Sequence, residues 1–168
     1  MKRALVITAS DGVDAGSRED ASGFAVGERL EALGFSVQRA VLPDEREILA
    51  EVLRSSAATH DLIVTTGGTG LTPRDVTPQA TRDAIDYDVP GMAEAMRAAG
   101  RSSTPFADLS RGVVGVIGHA LVVNLPGSPK GAMESLTAIE AVLDHALETL
   151  AGPFDHDGAA EGTEAPTI

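Results

Sequence analysis

Residues 61–70 read Asp-Leu-Ile-Val-Thr-Thr-Gly-Gly-Thr-Gly, an aliphatic run that passes directly into a glycine-rich loop. A short apolar run with little polar alternation is typical of a strand buried on both faces of a parallel sheet. Glycines after a strand permit positive φ angles, and successive exposed N–H groups can hold a phosphate. The stretch therefore predicts a buried strand followed by a phosphate-binding loop, the alternative being a tight turn that needs glycine for geometry alone.

The chain before this stretch alternates strand and helix patterns. Two earlier strands are predicted at residues 4–8 and 36–42. Apolar residues at helical spacing lie between the strands: Val26, Leu30 and Leu33 before Gly34, then Ile48, Leu49, Val52 and Leu53 after residues 43–45. Residues 11–22 are rich in Gly, Ser and Asp and are expected to form a loop. A strand–helix–strand–helix–strand series implies an α/β fold with a parallel sheet and right-handed crossovers.

The chain after the glycine loop continues the α/β pattern. Helices are predicted at residues 78–85 and 92–99, separated by a break at Pro90-Gly91. Two apolar runs split by Gly118-His119 favour a hairpin. A last helix carries a stripe of aliphatic residues at Leu136, Ile139, Leu143, Ala146 and Leu150. We expect one domain over residues 1–154 and an acidic, flexible tail over residues 155–168.

The composition excludes several classes of protein. The 168 residues contain no cysteine, which excludes a disulfide framework, a thiolate metal site and a cysteine nucleophile. The net charge of −12 and the lack of a basic patch in the sequence argue against nucleic acid as a partner. The apolar segment near Met1 is too short for a signal peptide, and no apolar run is long enough to span a bilayer. We expect a cytoplasmic protein with small-molecule substrates and no membrane association.

Polar residues follow four predicted strands at their carboxyl ends, where open α/β sheets bind ligands. These segments are residues 8–11, 43–45, 65–70 and 124–129. The glycine loop is not a P-loop, because no Gly-Lys-Ser or Gly-Lys-Thr follows it. It is not a dinucleotide fingerprint either, because Pro73 stands where the third glycine would fall. Ser128 is expected to cap the last helix, whose N-terminus is a natural anion site.

Two carboxylates are candidates for chemistry. Asp75 follows the glycine loop, and hard cations such as Mg²⁺ prefer carboxylate oxygen together with phosphate. Asp44 lies between a strand and a helix, where N-capping is the alternative explanation. If Asp44 and Asp75 converge, they form a two-point metal site suited to nucleotidyl transfer. Arg74 offers a donor fork to an anion, whereas Thr77 before Pro78 is expected to cap a helix.

The ordered combination of these motifs resembles the molybdopterin-binding family of the Mog/MoaB type. The resemblance covers roughly residues 3–153 and rests on residues 65–70, 74–78 and 124–130, with further matches at residues 42–45 and 109–111. It implies a three-layer α/β/α fold with a mostly parallel sheet, and a homo-oligomer that is a trimer or a hexamer. It also implies Mg-ATP-dependent adenylylation of molybdopterin with release of pyrophosphate.

Carried onto this sequence, the resemblance implies that Asp44 and Asp75 are the catalytic carboxylates and hold Mg²⁺. With the motif residues, it gives a substrate- and phosphate-binding set: Thr8, Ser10, Asp11, Thr66, Gly67, Gly68, Thr69, Gly70, Arg74, Ser110, Arg111, Pro126, Gly127, Ser128 and Lys130. The sequence departs from the family pattern at Gly12, where the enzymes often have arginine. We expect Arg18 from the same loop to supply the missing cation.

Two alternatives stay open at this point. The first is a non-catalytic molybdopterin-binding or scaffold homologue that keeps the fold and loops without turnover. The intact Asp44 and Asp75 argue against that alternative. The second is a domain similar to the one at the start of competence/damage-inducible proteins, which shares the fold and a related glycine loop. The pattern of Thr69 followed by Arg74 and Asp75 fits the Mog/MoaB type better.

Overall fold

A computed structural model describes residues 1–153, and its central feature is a six-stranded sheet. The strands are β1 (Arg3–Ala9), β2 (Ser36–Leu42), β3 (Leu62–Thr66), β4 (Tyr87–Asp88), β5 (Val114–Ile117) and β6 (Ala120–Leu125). Their order is β2-β1-β3-β6-β5-β4, in which the first four are mutually parallel. Strand β5 runs antiparallel to β6, and β4 runs antiparallel to β5. The mostly parallel sheet confirms the predicted fold class.

Helices cover both faces of this sheet. They are α1 (Asp11–Asp14), α2 (Ala21–Ala32), α3 (Arg46–Ser56), α4 (Thr77–Ala84), α5 (Pro90–Gly100) and α6 (Pro129–Ala151), with a 3₁₀ turn at Pro105–Leu109. Successive side chains of β1 point to opposite faces. Val6 packs in the core with α2, α5 and α6, whereas Ile7 packs in a second core with α3 and α4. The two apolar cores give the three layers that were predicted.

The region predicted as a loop at residues 11–22 is partly helical. Ser10 caps α1 by accepting a hydrogen bond from the Val13 amide at 3.3 Å. Asp20 caps α2 by accepting from the Gly23 amide at 2.9 Å. The loop prediction was wrong there because Ser and Asp are typical of loops and also of N-caps. The predicted break at Pro90-Gly91 was also wrong, since α5 begins at Pro90 and proline suits the first helical turn.

Two apolar residues assigned to buried helix faces lie at the surface. Ile48 of α3 is exposed, while Leu49, Ala50 and Leu53 form the buried face. Leu33 is also exposed because α2 ends at Ala32, one residue earlier than the stripe suggested. Apolar residues at a spacing of three to four predict that a helix has a buried face, but they predict less well which residues lie at the boundary of that face.

The parallel strands end together at one edge of the sheet. Thr8 of β1 pairs in register with Thr66 of β3, which in turn pairs with Leu125 of β6. In the sheet, β1 lies between β2 and β3. The strand that follows β1 in sequence is added on one side of it and the next strand on the other, so the switch in strand order lies between β1 and β3. Ligands bind at such a point in open α/β sheets.

Two other features bear on the sequence expectations. The acidic tail expected at residues 155–168 lies outside the described residues. Among residues 1–153, no helix has the combined length and apolar character that a membrane crossing requires.

Candidate functional site

A cleft of about 790 Å³ opens at this edge of the sheet. Most of the predicted ligand-contacting residues line it: Thr8, Ser10, Asp44, residues 66–70, Asp75 and residues 126–128. Four strand ends therefore contribute to one wall, as expected from the parallel register. Arg18, Glu19 and Ser22 also line the cleft, although Glu19 and Ser22 were not singled out from the sequence.

The glycine loop presents a row of main-chain amides. Gly67 and Gly68 have φ angles of 91° and 65°, in the left-handed region that favours glycine. Among residues 1–153, the amides of Gly68, Thr69 and Gly70 donate no hydrogen bond. Successive N–H groups in such a turn form a concave site that attracts anions. This geometry suits a phosphate.

Thr77 holds the glycine loop from behind. Its hydroxyl donates to the Gly67 carbonyl at 2.9 Å, and its amide donates to the Gly68 carbonyl at 3.1 Å. The capping role expected for Thr77 was wrong, because Val76 occupies the N-cap position of α4 and makes no side-chain cap. Thr77 thus pairs with two carbonyls of the loop. The amides of residues 68–70 stay available to a ligand.

The N-terminus of α6 forms another part of the cleft wall. Ser128 caps α6, as predicted, by accepting a hydrogen bond from the Gly131 amide at 3.1 Å. The loop before it packs closely on the glycine loop, since a Cβ on Gly127 would lie 3.2 Å from the Gly67 Cα. A helix N-terminus combines unpaired amides with the positive end of the helix dipole. The amides of Gly127 and Ser128, in the loop before α6, line the same cleft and donate no hydrogen bond within residues 1–153.

The Asp44 carboxylate is held by the first residue of α1 and does not cap α3, the helix that follows it. Glu45 occupies the N-cap of α3 without a side-chain cap bond. Asp44 Oδ2 accepts from the Asp11 amide at 3.0 Å, and the Asp44 amide donates to Asp11 Oδ1 at 2.9 Å. Burial raises the pKa of Asp44, and the nearby carboxylates of Asp11 and Asp75 act in the same direction. N-capping of α3, the alternative that the sequence left open, therefore does not explain this residue.

Asp75 lies beside the last glycine of the loop. Its Oδ2 accepts from the Thr72 amide at 2.8 Å and from the Thr72 hydroxyl at 2.7 Å. A Cβ on Gly70 would lie 2.9 Å from the same oxygen, so the carboxylate lies close to the side of Gly70 where a side chain would project. Asp75 and Asp44 thus flank the row of amides.

The two carboxylates offer hard oxygen donors, which is the chemistry that Mg²⁺ prefers. No group of three or more His, Cys, Asp or Glu side chains suitable for a metal occurs within residues 1–153. Mg²⁺ is commonly held by one or two carboxylates plus substrate phosphates. The donor set of Asp44 and Asp75 fits a cation of that kind.

Five predicted binding residues do not line this cleft, namely Asp11, Arg74, Ser110, Arg111 and Lys130. The guanidinium of Arg74 forms a bidentate pair with Asp11, with both bonds at 3.0 Å, and lies 3.2 Å from Glu45. This network ties together the loops that follow β1, β2 and β3. The amide of Asp44 and then the guanidinium of Arg74 lower the pKa of Asp11.

The other three face elsewhere. Lys130 is exposed, 3.8 Å from Glu134. Ser110 lines a smaller, mostly apolar pocket of about 270 Å³ that adjoins the cleft and shares Thr69 and Gly70 with it. Arg111 donates to main-chain carbonyls, including that of Gly70 at 2.7 Å.

Arg18 occupies the space beside Gly12. A Cβ on Gly12 would lie 3.6 Å from the Arg18 Cβ and 3.7 Å from its Nε. The Arg18 side chain is exposed, lines the cleft and forms no ion pair within residues 1–153. A cation from the same loop therefore reaches the cleft although residue 12 is glycine.

Hydroxyl groups on the floor of the cleft are linked to α2. Ser22 and Thr66 lie 3.0 Å apart through their hydroxyl oxygens, and Thr8 donates to Asp20 at 2.8 Å. The sequence carried a signal for Asp20 and Ser22, because Asp at an N-cap after a Gly/Ser-rich segment begins a helix. That signal was missed when the whole segment was assigned to a loop.

Comparisons with known proteins agree with this architecture. Residues 5–145 match the family model described as "Probable molybdopterin binding domain". The molybdopterin adenylyltransferase of Helicobacter pylori J99 is 35% identical over 156 residues, covering 89% of this chain and 88% of that protein. The crystal structure of the molybdopterin biosynthesis enzyme MoaB from Thermus thermophilus superposes with a TM-score of 0.84 at 50% identity. That match covers 89% of this chain and 96% of the other.

A longer relative also matches. The molybdenum cofactor synthesis protein cinnamon of Drosophila melanogaster is 40% identical over 112 residues, which are 66% of this chain. The match spans 19% of the length of cinnamon, so only a part of that protein corresponds to this chain. The family model, the bacterial relative and the superposed structure all point to one fold. The chain belongs to the molybdopterin-binding domain family.

Proposed function

We propose that the protein is a molybdopterin adenylyltransferase of molybdenum cofactor biosynthesis that uses Mg-ATP. The observation that carries the proposal is one cleft in which two carboxylates, Asp44 and Asp75, flank a row of unpaired main-chain amides. The relative from Helicobacter pylori is named for this activity and matches nearly the whole chain. Phosphoryl-transfer enzymes act mainly by positioning and by charge stabilisation, and this cleft offers both.

The proposed reaction needs no side-chain nucleophile. An oxygen of the molybdopterin phosphate attacks the α-phosphorus of ATP and forms a new P–O bond. The bond from the α-phosphorus to the bridging oxygen breaks, and pyrophosphate leaves with the electron pair. The products are adenylyl-molybdopterin and pyrophosphate.

The residues of the cleft have separate roles in this proposal. The amides of residues 68–70 and the N-terminus of α6 bind phosphate oxygens and stabilise charge that develops on them. Asp75, with Asp44 beside it, would hold Mg²⁺, which neutralises phosphate charge when it is bound. The buried hydroxyls of Thr8 and Thr66 on the cleft floor orient Asp20 and Ser22, their hydrogen-bond partners.

The decisive experiment measures pyrophosphate release from the purified protein with Mg-ATP and molybdopterin. We expect release that requires all three components and that forms adenylyl-molybdopterin in equal amount. A protein that binds molybdopterin tightly but releases no pyrophosphate would instead be the non-catalytic homologue. A protein that binds no molybdopterin at all would contradict the proposal as a whole.

We predict that Arg18→Ala weakens substrate binding more than it slows turnover. Arg18 lines the cleft and has no carboxylate partner among residues 1–153, so its charge is available to a phosphate. Loss of one charge-assisted contact should raise KM or Kd by about tenfold to a hundredfold. Calorimetric titration of molybdopterin and of ATP measures the effect. The control is Arg101→Ala, whose side chain is exposed and pairs with Asp108 outside the cleft, and unchanged affinity in Arg18→Ala would contradict the role.

We predict an acid limb in the pH profile of activity that depends on Asp44. Burial raises the pKa of this carboxyl, so it loses its charge at a higher pH than an ordinary aspartate as the solution is acidified. Activity should therefore fall with decreasing pH while other aspartates are still ionised. Higher Mg²⁺ should shift the limb to lower pH, since metal competes with the proton for a carboxylate.

The matched variants for this pH prediction are Asp44→Asn and Asp83→Asn. Asp83 lies outside the cleft, and its pKa is lowered by the guanidinium of Arg46. The limb should disappear from the residual activity of Asp44→Asn and persist in Asp83→Asn, when kcat/KM is followed against pH at fixed Mg²⁺. An acid limb that survives unchanged in Asp44→Asn assigns it to another group.

We also propose that the protein acts in the cytoplasm as a homo-oligomer, either a trimer or a dimer of trimers. The family resemblance supports this, as do large apolar side chains exposed near the cleft, such as Leu71, Phe106 and Leu109. Light scattering after size-exclusion chromatography should give three or six times the mass of the chain. A monomer at micromolar concentration would exclude the assembly.

A further inference from the structure

Arg111 is a half-buried cation whose hydrogen bonds all go to neutral acceptors. Its Nε donates to the Gly70 carbonyl at 2.7 Å, and its Nη2 donates to the Asp75 carbonyl at 2.6 Å. Its Nη1 donates to Gln79 Oε1 at 3.3 Å. Within residues 1–153 it forms no ion pair, although arginine usually meets carboxylates or phosphates through its donor fork. Two of these three hydrogen bonds thus go to main-chain carbonyls of one loop.

That loop carries Asp75 into the cleft. Residues 70–75 connect the row of amides to α4, and Leu71 within them is largely exposed. The hydrogen bonds between Asp75 and Thr72 are internal to the loop and cannot set its position relative to the sheet. The Arg111 side chain donates to the carbonyls at both ends of the loop, those of Gly70 and Asp75. Its own amide donates to the Thr69 carbonyl at 3.0 Å. Arg111 follows the 3₁₀ turn and precedes β5, so it anchors the loop to a separate part of the fold.

We infer that Arg111 is a positioning residue that fixes the Asp75 carboxylate relative to the amides of the glycine loop. The inference rests on the proposed function, since it assigns the position that Asp75 needs in order to act. Two of its side-chain donors are directed at the carbonyls of the loop and a third at Gln79 of α4, so Arg111 affects turnover through Asp75. A displacement of about 1 Å in a catalytic group can lower a rate by about a hundredfold.

The test compares Arg111→Lys and Arg111→Ala with Arg101→Lys as the matched control. Lysine keeps the charge but has no planar fork, so it cannot span two carbonyls in the same way. We expect Arg111→Lys to lower kcat by about tenfold to a hundredfold, to change KM for molybdopterin much less, and to require more Mg²⁺ for half-maximal activity. Arg111→Ala should be less active still, and millimolar guanidinium chloride should restore part of its activity where sodium chloride does not.

A second readout does not depend on turnover. Hydrogen–deuterium exchange of peptides covering residues 69–77 should be faster in Arg111→Lys than in the wild type, and unchanged in Arg101→Lys. If the wild type releases no pyrophosphate, the proposed function fails, while faster exchange with weaker Mg²⁺-dependent ATP binding still supports the positioning role. A loss in Arg111→Lys confined to KM would show that Arg111 contacts substrate and would overturn the inference. Wild-type exchange and wild-type Mg²⁺ dependence in that variant would overturn it equally.

Discussion

Asp75→Asn should lose at least about a hundredfold in the rate of adenylylation while it keeps its affinity for molybdopterin. Asparagine has nearly the same shape, and its side-chain oxygen can still accept from the amide and hydroxyl of Thr72. The substitution therefore leaves the loop in place and removes only the negative charge. A hundredfold loss in rate corresponds to about 2.7 kcal/mol of transition-state stabilisation, which is in the range for removing one electrostatic group from such a site.

The measurement is single-turnover pyrophosphate release, together with calorimetric binding of molybdopterin. Asp144→Asn is the matched control, since Asp144 is exposed and pairs with Lys2 far from the cleft. The loss in Asp75→Asn should be partly relieved at high Mg²⁺ if the carboxylate binds the cation, because a weakened metal site can be saturated. Full adenylylation by Asp75→Asn, with binding intact, would remove Asp75 from the mechanism.

The fold and the location of the cleft could be predicted because both follow from local patterns. Aliphatic runs without alternation indicate buried parallel strands. Polar segments after four such strands then meet at one edge, because parallel strands share their direction. Thr8, Thr66 and Gly127 reach the same cleft for this reason alone. The location of the cleft required no knowledge of side-chain conformation.

The partners of individual side chains could not be predicted in the same way. Arg74 and Arg111 have the same chemistry, and both were candidates to bind an anion. In the fold, Arg74 meets Asp11, whereas Arg111 meets main-chain carbonyls. Which acceptor a long side chain reaches depends on loops that are distant in sequence, 63 residues apart for Arg74 and Asp11. Thr77 was misassigned for a related reason, since its hydroxyl acts on a loop ten residues earlier.

Gly68→Ala should both destabilise the fold and abolish most of the activity. Gly68 has a φ angle of 65°, where an alanine costs about 1–2 kcal/mol. A Cβ there would also collide with the Thr77 hydroxyl and lie 3.2 Å from Asp44 Oδ1. The added methyl group must displace either the residue that holds the loop carbonyls or a carboxylate of the cleft. We expect kcat/KM to fall about a hundredfold, because the row of amides loses its shape.

Substitutions at two other glycines separate the loss of stability from the loss of activity in Gly68→Ala. Gly118→Ala places alanine at a positive φ of 58° in the β5–β6 hairpin with no atom within 4 Å of the new Cβ, so it should lower the melting temperature without changing kcat. Gly91→Ala lies in α5 in open space and should leave both quantities unchanged or slightly raise stability. Thermal unfolding and kcat/KM are measured on all three variants. If Gly68→Ala matched Gly118→Ala, with lower stability and full activity, the amides of the glycine loop would have no part in binding the reacting phosphates.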